Sequence, residues 1–305
     1  MFAEYLPFTI KYFYHIIIGI VSLILLKKLF EHLVQRTVQS GTSVLTEKST
    51  ESSESNVATI TIFLYYYLPE VNERSFEVEP ALPHDLKHIP YHNVRKSEKE
   101  LLARASEFYR IAAARRTLRF FSDDPVPKEV IRELIRAAGT APSGAHTEPW
   151  TFIAISDPTT KSNIRDIVEQ EEKINYEKRM GIKWTTDLSP LRTNWIKEYL
   201  TTAPYLILVF KQTYGILPNG QKKIHYYNEL SVSIACGILI TAIQYTGLVT
   251  LTSTPMNCGP AIRNILGRPS NEKLVLLLPV GYPAKDATVP DLQRKDLTEI
   301  LVEID

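Results

Sequence analysis

Three arginines, Arg115, Arg116 and Arg119, stand within five residues of one another in the stretch ARRTLRFF. Guanidinium groups match phosphate oxygens in bidentate pairs, so this cluster predicts a phosphate site. If the preceding helix continues, Arg115 and Arg119 share one of its faces. The alternative is that the arginines cap the helix and pair with Asp123 and Asp124, which explains one arginine more easily than three. The chain has neither GxGxxG nor GxxxxGK followed by Ser or Thr, so the usual glycine-rich phosphate loops are excluded.

A second stretch with chemical potential is TAPSGAHTEPW, residues 140–150. Pro142, Ser143 and Gly144 interrupt regular structure and leave backbone amides able to face a ligand. His146 invites the role of a catalytic acid, but a histidine in a turn is more often a hydrogen-bonded structural residue.

A third stretch, LTSTPMN at 251–257, places three hydroxyl residues before Pro255: Thr252, Ser253 and Thr254. Taken alone, this pattern is better explained as a strand end that satisfies its own hydrogen bonds. The residues therefore leave its role open.

A fourth set combines an acid, a phenol and a base. Glu172 and Tyr176 are four residues apart on a predicted helix, and Lys197 is expected from the next helix. A free amino acid carries an ammonium and a carboxylate, so a site for it needs one acid and one base. The alternative is an ordinary solvated surface, which is the usual meaning of a charged run.

The elements that would position these residues alternate along the second half of the chain. Ser97 and Glu100 stand in capping-box register at the start of one predicted helix. Further helices are predicted at 127–139, from Pro158 to about Lys178, and at 227–247, the last apolar on most faces and expected to be central and buried. Strands are predicted at 150–156, 205–210, 248–253 and 273–281. Helices before the first strand favour an α+β fold over a doubly wound sheet.

The composition excludes several functions. Lys and Arg total 35 against 34 Asp and Glu, so the chain lacks the overall basic charge of a nucleic-acid-binding protein. Two cysteines, Cys236 and Cys258, cannot form a disulfide framework, and neither stands in a metal-binding pattern. Both are expected to be buried, which suits a reducing compartment.

The amino terminus has a different composition from the rest. Residues 5–26 are long and apolar enough for a bilayer span, and we expect an uncleaved single-pass anchor rather than a signal peptide. Lys27, Lys28 and Arg36 follow it, so the positive-inside rule places the remainder in the cytoplasm. A Ser/Thr/Glu-rich tether follows at 37–56. The apolar stretch 57–68 fits either an interfacial segment or a docked strand.

Together, RRTLRFF, APSGAHTEPW, TSTPMN and LQRKDL resemble the nitroreductase-fold flavoproteins. Glu172, Tyr176 and Lys197 make the resemblance sharper, because they match the lid of the iodotyrosine deiodinase family. The likeness covers about residues 85–305. It implies a mixed or antiparallel central sheet flanked by helices, a transmembrane anchor at 1–30, a tether and extended segment at 31–84, and a homodimer with the flavin site at the subunit interface.

The resemblance also implies site roles, with FMN as cofactor. Its phosphate would be held by Arg115, Arg116, Thr117, Arg119 and Arg294, and Leu118 also belongs to the cofactor-binding set. Phe120 and Phe121 would be core residues behind this site.

In that family, separate groups of residues contact the flavin ring and the substrate. Pro142 and Ser143 would lie along the isoalloxazine ring, and Thr254, beside Thr252 and Ser253, would place a hydroxyl near flavin N5. The halotyrosine would be bound by Glu172, Tyr176 and Lys197, with the Ala145 amide on its phenolate. Thr254 and Ala145 are thus the residues nearest the chemistry.

The activity implied is reductive dehalogenation of mono- and diiodotyrosine to tyrosine and iodide, with NADPH, directly or through a reductase, as the ultimate electron donor. Two alternatives stay open. A generic FMN-dependent nitro or quinone reductase would share the flavin-facing residues and differ in the lid. A membrane-tethered flavin-binding protein without turnover would share them as well.

Overall fold

The computed structural model describes residues 80–304. The predicted anchor at 5–26 and the segments at 37–56 and 57–68 lie outside this part of the chain. Within residues 80–304, no helix combines the length and apolar character needed to cross a membrane. Residues 80–97 contain turns and extended chain but neither helix nor strand.

The main sheet has four antiparallel strands in the order β1-β2-β6-β5, and β3 and β4 form a separate hairpin. The strands are β1 Trp150–Ile155, β2 Tyr205–Gln212, β3 Tyr214–Ile216, β4 Lys222–Ile224, β5 Val249–Thr250 and β6 Glu272–Gly281. The α+β class is confirmed, and the four predicted strands are present. The predicted strand at 248–253 is shorter than expected, and the β3-β4 hairpin was not predicted.

Helices flank the sheet on both faces. They are α1 Glu98–Ala113, α2 Lys128–Ala138, α3 Pro158–Ile174, α4 Gly181–Leu188, α5 Tyr199–Thr202, α6 Asn228–Tyr245, α7 Gly259–Ile265 and α8 Leu297–Ile300. Short 3₁₀ turns occupy Gly144–His146 and Ser189–Leu191, and a π turn covers Asn175–Arg179. The Ser97 hydroxyl accepts from the Glu100 amide at 3.3 Å, so half of the predicted capping box forms at the start of α1.

Strand β2 separates two apolar cores, because its side chains alternate between the two faces of the sheet. Leu208 packs with Cys258 and with residues of α3, α5 and α7 on one face. Ile207 packs with Cys236 and with residues of α2 and α6 on the other. Both cysteines are buried, as predicted. Burying a large apolar side chain contributes about 1.5–3 kcal/mol, so these two cores hold the helices against the sheet.

Helix α6 is buried on one side only. Val232 and Leu239 are buried against the sheet, whereas Leu230, Ile234 and Tyr245 on other faces are exposed. The prediction of a fully buried central helix is therefore wrong for the single chain. The physical reason is that, among the described residues, α1 lies across an open groove from the outer side of α6, and no side chain of α1 is buried.

Candidate active site

The arginine cluster follows α1 in extended chain. Helix α1 ends at Ala113, and Thr117 then pairs with Thr250 in an isolated parallel bridge. Arg115 and Arg119 therefore do not share a helix face, and that expectation is wrong. The bridge ties the cluster to the last residue of β5, so the sheet fixes its position.

A cavity of about 370 Å³, called here the arginine cavity, gathers the predicted phosphate residues. Arg294 reaches it from the carboxy-terminal tail, and its Nη2 donates to the Arg115 carbonyl at 2.9 Å. Arg116 donates to the Pro290 carbonyl in the same tail. The polar and charged lining residues are Arg115, Arg116, Thr117, Arg119, Gln293 and Arg294.

The arginine cavity carries uncompensated positive charge. None of the described residues that line it is a carboxylate, and within residues 80–304 none of its four arginines forms an ion pair. Burial lowers the pKa of Arg115, and the nearby charges of Arg294 and Arg116 lower it further. The alternative pairing with Asp123 and Asp124 is not formed. These residues fit an anion with several oxygens, such as a phosphate.

Three residues next to the arginines differ in burial. Leu118 is buried in the core, and its amide donates to the Thr250 carbonyl at 3.2 Å, so neither its side chain nor its N–H is free for a cofactor. Phe121 is also buried, as predicted. Phe120 is 46% exposed and lines cavities beside Arg119, so its expected role as a core residue is wrong.

The turn at residues 142–146, called here the PSG turn, has unusual backbone angles. Ala145, His146 and Glu148 have φ values of 49°, 51° and 48°, which non-glycine residues rarely adopt. The Ser143 hydroxyl accepts from the Glu148 amide at 3.0 Å and holds this conformation. Such strain is found preferentially at functional sites. The His146 side chain is exposed, with Nε2 3.6 Å from a Glu148 carboxylate oxygen.

The PSG turn is packed against the start of α6. A Cβ at Gly144 would lie 2.9 Å from the Tyr226 carbonyl oxygen and Cβ, so only glycine fits there. Three cavities of about 370, 290 and 260 Å³ contain Arg119, and no residue of this turn lines any of them. Pro142 and Ala145 are exposed.

The hydroxyl segment, Thr252 to Thr254, follows β5. Ser253 exchanges two backbone hydrogen bonds with Leu277 of β6, at 3.0 and 2.9 Å, while Thr252 and Thr254 are exposed. Burial raises the pKa of the Tyr199 phenol, and the nearby charge of Arg119 and the Ser253 side chain lower it. Tyr199 was not predicted, because a single tyrosine in the stretch KEYLTT has no spacing that distinguishes it from an ordinary core residue.

The lid, residues 172–197, brings the predicted acid and base together. Lys197 Nζ lies 3.8 Å from Glu172 Oε2, and the two side chains are only 7% and 13% exposed. As predicted, one unbroken helical stretch carries Glu172 and Tyr176, but it changes from α to π geometry after Ile174, so Tyr176 lies in the π turn. Lys197 lies in the loop before α5, not on a helix.

Aromatic rings surround this pair. The Tyr176 ring centroid is 4.9 Å from that of Trp184 and 6.1 Å from that of Trp195, both in edge-to-face geometry. Lys197 Nζ lies 5.5 Å from the Tyr176 ring centroid and donates to the Asn194 carbonyl. Burial lowers the pKa of Lys197, Glu172 raises it, and Arg119 lowers it. The Glu172–Lys197 pair is therefore largely shielded from water and has no net charge.

Arg119 joins the two regions. It lines the arginine cavity, and it also lines a cavity of about 260 Å³ with Thr193, Asn194 and Tyr199. Its charge acts on the pKa values of Tyr176 and Lys197. The arginine cavity, the hydroxyl segment and the lid thus lie next to one another in one chain.

The chain is similar to known proteins of one family. A model of the nitroreductase family matches residues 112–282. The chain is 64% identical to the iodotyrosine deiodinase of Danio rerio over 218 residues, 72% of this chain and 74% of the relative. It is 61% identical to iodotyrosine deiodinase 1 of Homo sapiens over 220 residues, 72% of this chain and 76% of the relative.

A solved structure is also similar. It is an oxidized iodotyrosine deiodinase bound to FMN and 3-iodo-L-tyrosine, which aligns with a TM-score of 0.57 at 30% identity and covers 65% of this chain and 98% of its own. The family model spans more than half of the 305 residues, and the relatives match most of their own length. The chain therefore belongs to the nitroreductase family and, within it, to the iodotyrosine deiodinases.

Proposed function

We propose that this protein is an FMN-dependent oxidoreductase that removes iodide from mono- and diiodotyrosine. One observation carries the substrate assignment: a buried acid and a buried base, Glu172 and Lys197, face each other beside the anion-binding arginine cavity. A zwitterionic amino acid needs both charges, and a small neutral oxidant needs neither.

FMN fits the arginine cavity through its phosphate. Arg115, Arg116, Arg119 and Arg294 would hold that phosphate with Thr117, because their charges have no carboxylate partner among the described residues. FMN, when bound and reduced, supplies the two electrons of the reaction. The exposed hydroxyl of Thr254, with Thr252 and Ser253 beside it, would face flavin N5, and Pro142 and Ser143 would line the ring.

The lid would clamp the substrate by exchanging ion pairs. The substrate ammonium would bind Glu172, and its carboxylate would bind Lys197, so two ion pairs replace the one pair separated by 3.8 Å. Tyr176 packs against Trp184 and Trp195 and would close over the amino-acid end. The Ala145 amide would hold the phenolate oxygen. These residues bind and orient the ring and exclude water from it.

The reaction is balanced by two electrons and one proton. The carbon–iodine bond breaks, a carbon–hydrogen bond forms at the same ring carbon, and iodide leaves as the anion. NADPH, directly or through a reductase, would restore the electrons. A generic nitro or quinone reductase would use the same arginines, but it would gain nothing from burying Glu172 with Lys197, and burying such charges is costly.

A homodimer would complete the site. The PSG turn lines none of the cavities beside the arginines, although Ala145 and Ser143 are assigned to the flavin and substrate. A groove of about 810 Å³ between α1 and α6 exposes Phe108, Ile111 and Ile234. Exposed apolar patches of this kind are typical of protein–protein interfaces. Both observations support a second copy that covers the groove and brings its own PSG turn to the partner's arginines.

The proposal includes the cellular setting. Residues 1–30 would anchor the protein in a membrane, residues 31–84 would act as tether and extended segment, and residues 85–305 would form the catalytic domain in the cytoplasm. The basis is the apolar run at 5–26 and the lysines behind it. A protease-protection experiment on sealed microsomes would test the orientation.

The function is tested by iodide release. Full-length protein in detergent, reduced chemically under anaerobic conditions, is expected to convert diiodotyrosine to tyrosine with two iodides per molecule, measured by an iodide electrode and chromatography. Purified protein should show the absorbance of bound flavin. A flavin-loaded protein that reduces nitroaromatics but releases no iodide would favour the generic reductase. Flavin without either turnover would favour the binding protein.

A further inference from the structure

Helix α3 carries four charged side chains on one face. Lys161, Arg165, Glu169 and Glu172 follow each other at intervals of four, four and three residues, so they project from the same side of the helix. Glu172 is the acid of the lid. The function proposed above assigns no role to the other three.

The three remaining side chains bind the segment that begins with Lys197. Glu169 Oε1 accepts from the Lys197 backbone amide at 2.7 Å. Arg165 Nε donates to the same Glu169 oxygen at 2.7 Å, and its Nη1 donates to the Thr201 hydroxyl at 3.0 Å. Lys161 Nζ donates to the carbonyls of Thr201 and Ala203, at 3.1 and 2.8 Å.

These hydrogen bonds hold the short helix α5 on both sides, before its first residue and at its last turn. The Glu169 carboxylate takes a backbone N–H at its amino-terminal side, and the Lys161 ammonium takes carbonyls at its carboxy-terminal side. The ammonium meets carbonyls that the end of the helix leaves without partners, and the carboxylate holds the chain just before the helix begins. Helix α5 has four residues and could not hold its own position. Helix α3, with seventeen residues, sets that position for it.

The cost of this arrangement suggests that position matters. Lys161 is 7% exposed, and burial lowers the pKa of its ammonium. Arg165 and Glu169 are about three-quarters buried as an ion pair. Apolar side chains could hold a helix against a core at lower cost, whereas hydrogen bonds fix its distance and register.

The distance that is fixed is the one between the acid and the base of the lid. Glu169 holds the Lys197 backbone, and Glu172, one helical turn further along α3, faces the Lys197 ammonium at 3.8 Å. Helix α3 therefore positions both the acid and the base of the amino-acid clamp. A ligand carboxylate meets a base whose backbone is already in place, which lowers the ordering cost of binding.

We infer that Glu169 is a positioning residue for the substrate clamp: by holding the Lys197 backbone, it sets the separation between the groups that bind the ammonium and the carboxylate of the amino acid. Arg165 and Lys161 secure the same segment. This inference rests on the proposed function, because it assigns the clamp to an amino-acid substrate.

The test compares two substitutions at one position in the full-length, FMN-loaded protein. Glu169→Ala removes the acceptor, and Glu169→Gln keeps an oxygen within reach of the Lys197 amide. The dissociation constant for diiodotyrosine, measured by quenching of flavin fluorescence, is expected to rise about tenfold in Glu169→Ala. Most of that loss should be recovered in Glu169→Gln. Asp166→Ala removes an exposed acid of α3 outside the lid, serves as the matched control and should bind like wild type.

A second readout separates positioning from general damage. FMN retention and the kcat/KM for a small neutral nitroaromatic should be unchanged in both Glu169 variants, because neither depends on the acid–base pair. If Glu169→Ala binds diiodotyrosine like wild type, the inference is overturned. It is equally overturned if nitroaromatic reduction falls in parallel with diiodotyrosine binding. A wild-type protein that releases no iodide would instead overturn the proposed function itself.

Discussion

The arginine cavity and the lid lie side by side, but they handle charge in opposite ways. The arginine cavity collects Arg115, Arg116, Arg119 and Arg294 with no carboxylate among its described lining residues. The lid buries one acid and one base against each other. In the first, burial and then like charges lower the pKa of Arg115. In the second, an opposite charge partly restores the pKa that burial lowers in Lys197.

This difference relates the charge of each region to the charge of its ligand. A cavity with several positive charges is completed by an anion, which a phosphate supplies. The buried Glu172–Lys197 pair is already neutral. A ligand can therefore bind between the two side chains only if it offers each of them an opposite charge. A zwitterion does so, and a simple anion or cation would leave one buried charge unpaired, at a cost of several kcal/mol.

The largest expected effect comes from removing the negative charge of the buried Glu172–Lys197 pair. Glu172→Gln keeps the size of the side chain but removes its charge, so the substrate ammonium loses its partner in a mostly buried site. Loss of one partner of a buried charge pair costs about 2–5 kcal/mol, which is thirtyfold or more in affinity for iodotyrosine. Titration followed by flavin fluorescence measures it, and kcat should fall too if ammonium binding helps close the lid.

Two controls accompany that substitution. Glu177→Gln removes an exposed acid from the same region and should leave iodotyrosine binding unchanged. Reduction of a small neutral nitroaromatic should be unchanged in Glu172→Gln, since that substrate has no ammonium. Iodotyrosine turnover at the wild-type rate and affinity in Glu172→Gln would show that the lid does not bind the amino-acid end.

A smaller effect is expected in the arginine cavity, and on the cofactor instead of the substrate. Arg115→Ala removes one charge-assisted contact, worth roughly 1.5–3 kcal/mol, so FMN affinity should fall about tenfold to a hundredfold. Part of the loss is offset, because repulsion from Arg294 and Arg116 is relieved. Arg136→Ala, an exposed arginine of α2 paired with Glu133, is the matched control for apoprotein titration with FMN. Equal FMN affinity in both variants and wild type would contradict the phosphate assignment.

The smallest effect is a shift in pH dependence. Only protonated Lys197 can bind the substrate carboxylate, and burial lowers its pKa, so affinity should decline with rising pH before the ordinary lysine pKa of about 10.4 is reached. Arginine stays protonated over this range. The ratio of dissociation constants, wild type over Lys197→Arg, should therefore increase as the pH is raised from 7 to 10, and titration of the substrate itself cancels in that ratio. A constant ratio would mean that Lys197 does not carry the charge that binds.

The sequence predicted local groups well and long-range contacts poorly. The arginine cluster and the four strands of the main sheet follow from spacing and apolar runs. The approach of Arg294 to Arg115, separated by 179 residues, came from family resemblance and not from any local pattern. The contact of Arg119 with the lid cavity depends on the path of the chain after α1, which the premature end of that helix changes.

The helix α6 shows another limit. Its apolar residues predict burial on most sides, but periodicity does not distinguish burial inside one chain from burial between two. Val232 faces the core of its own chain, while Ile234 lies exposed. The short β3-β4 hairpin was missed because three-residue strands with lysines leave no alternating apolar pattern.

The two buried cysteines have a practical consequence. Cys258 belongs to the core beneath α3, and Cys236 belongs to the core beneath α2, on the opposite face of the sheet. Burial raises their thiol pKa values to about 12 and about 11, so at neutral pH alkylating reagents meet almost no thiolate in the folded protein. Each cysteine becomes reactive only when its own layer opens. Mass spectrometry of the two alkylated peptides would therefore measure separately the rates at which the core beneath α3 and the core beneath α2 open. No label would have to be introduced.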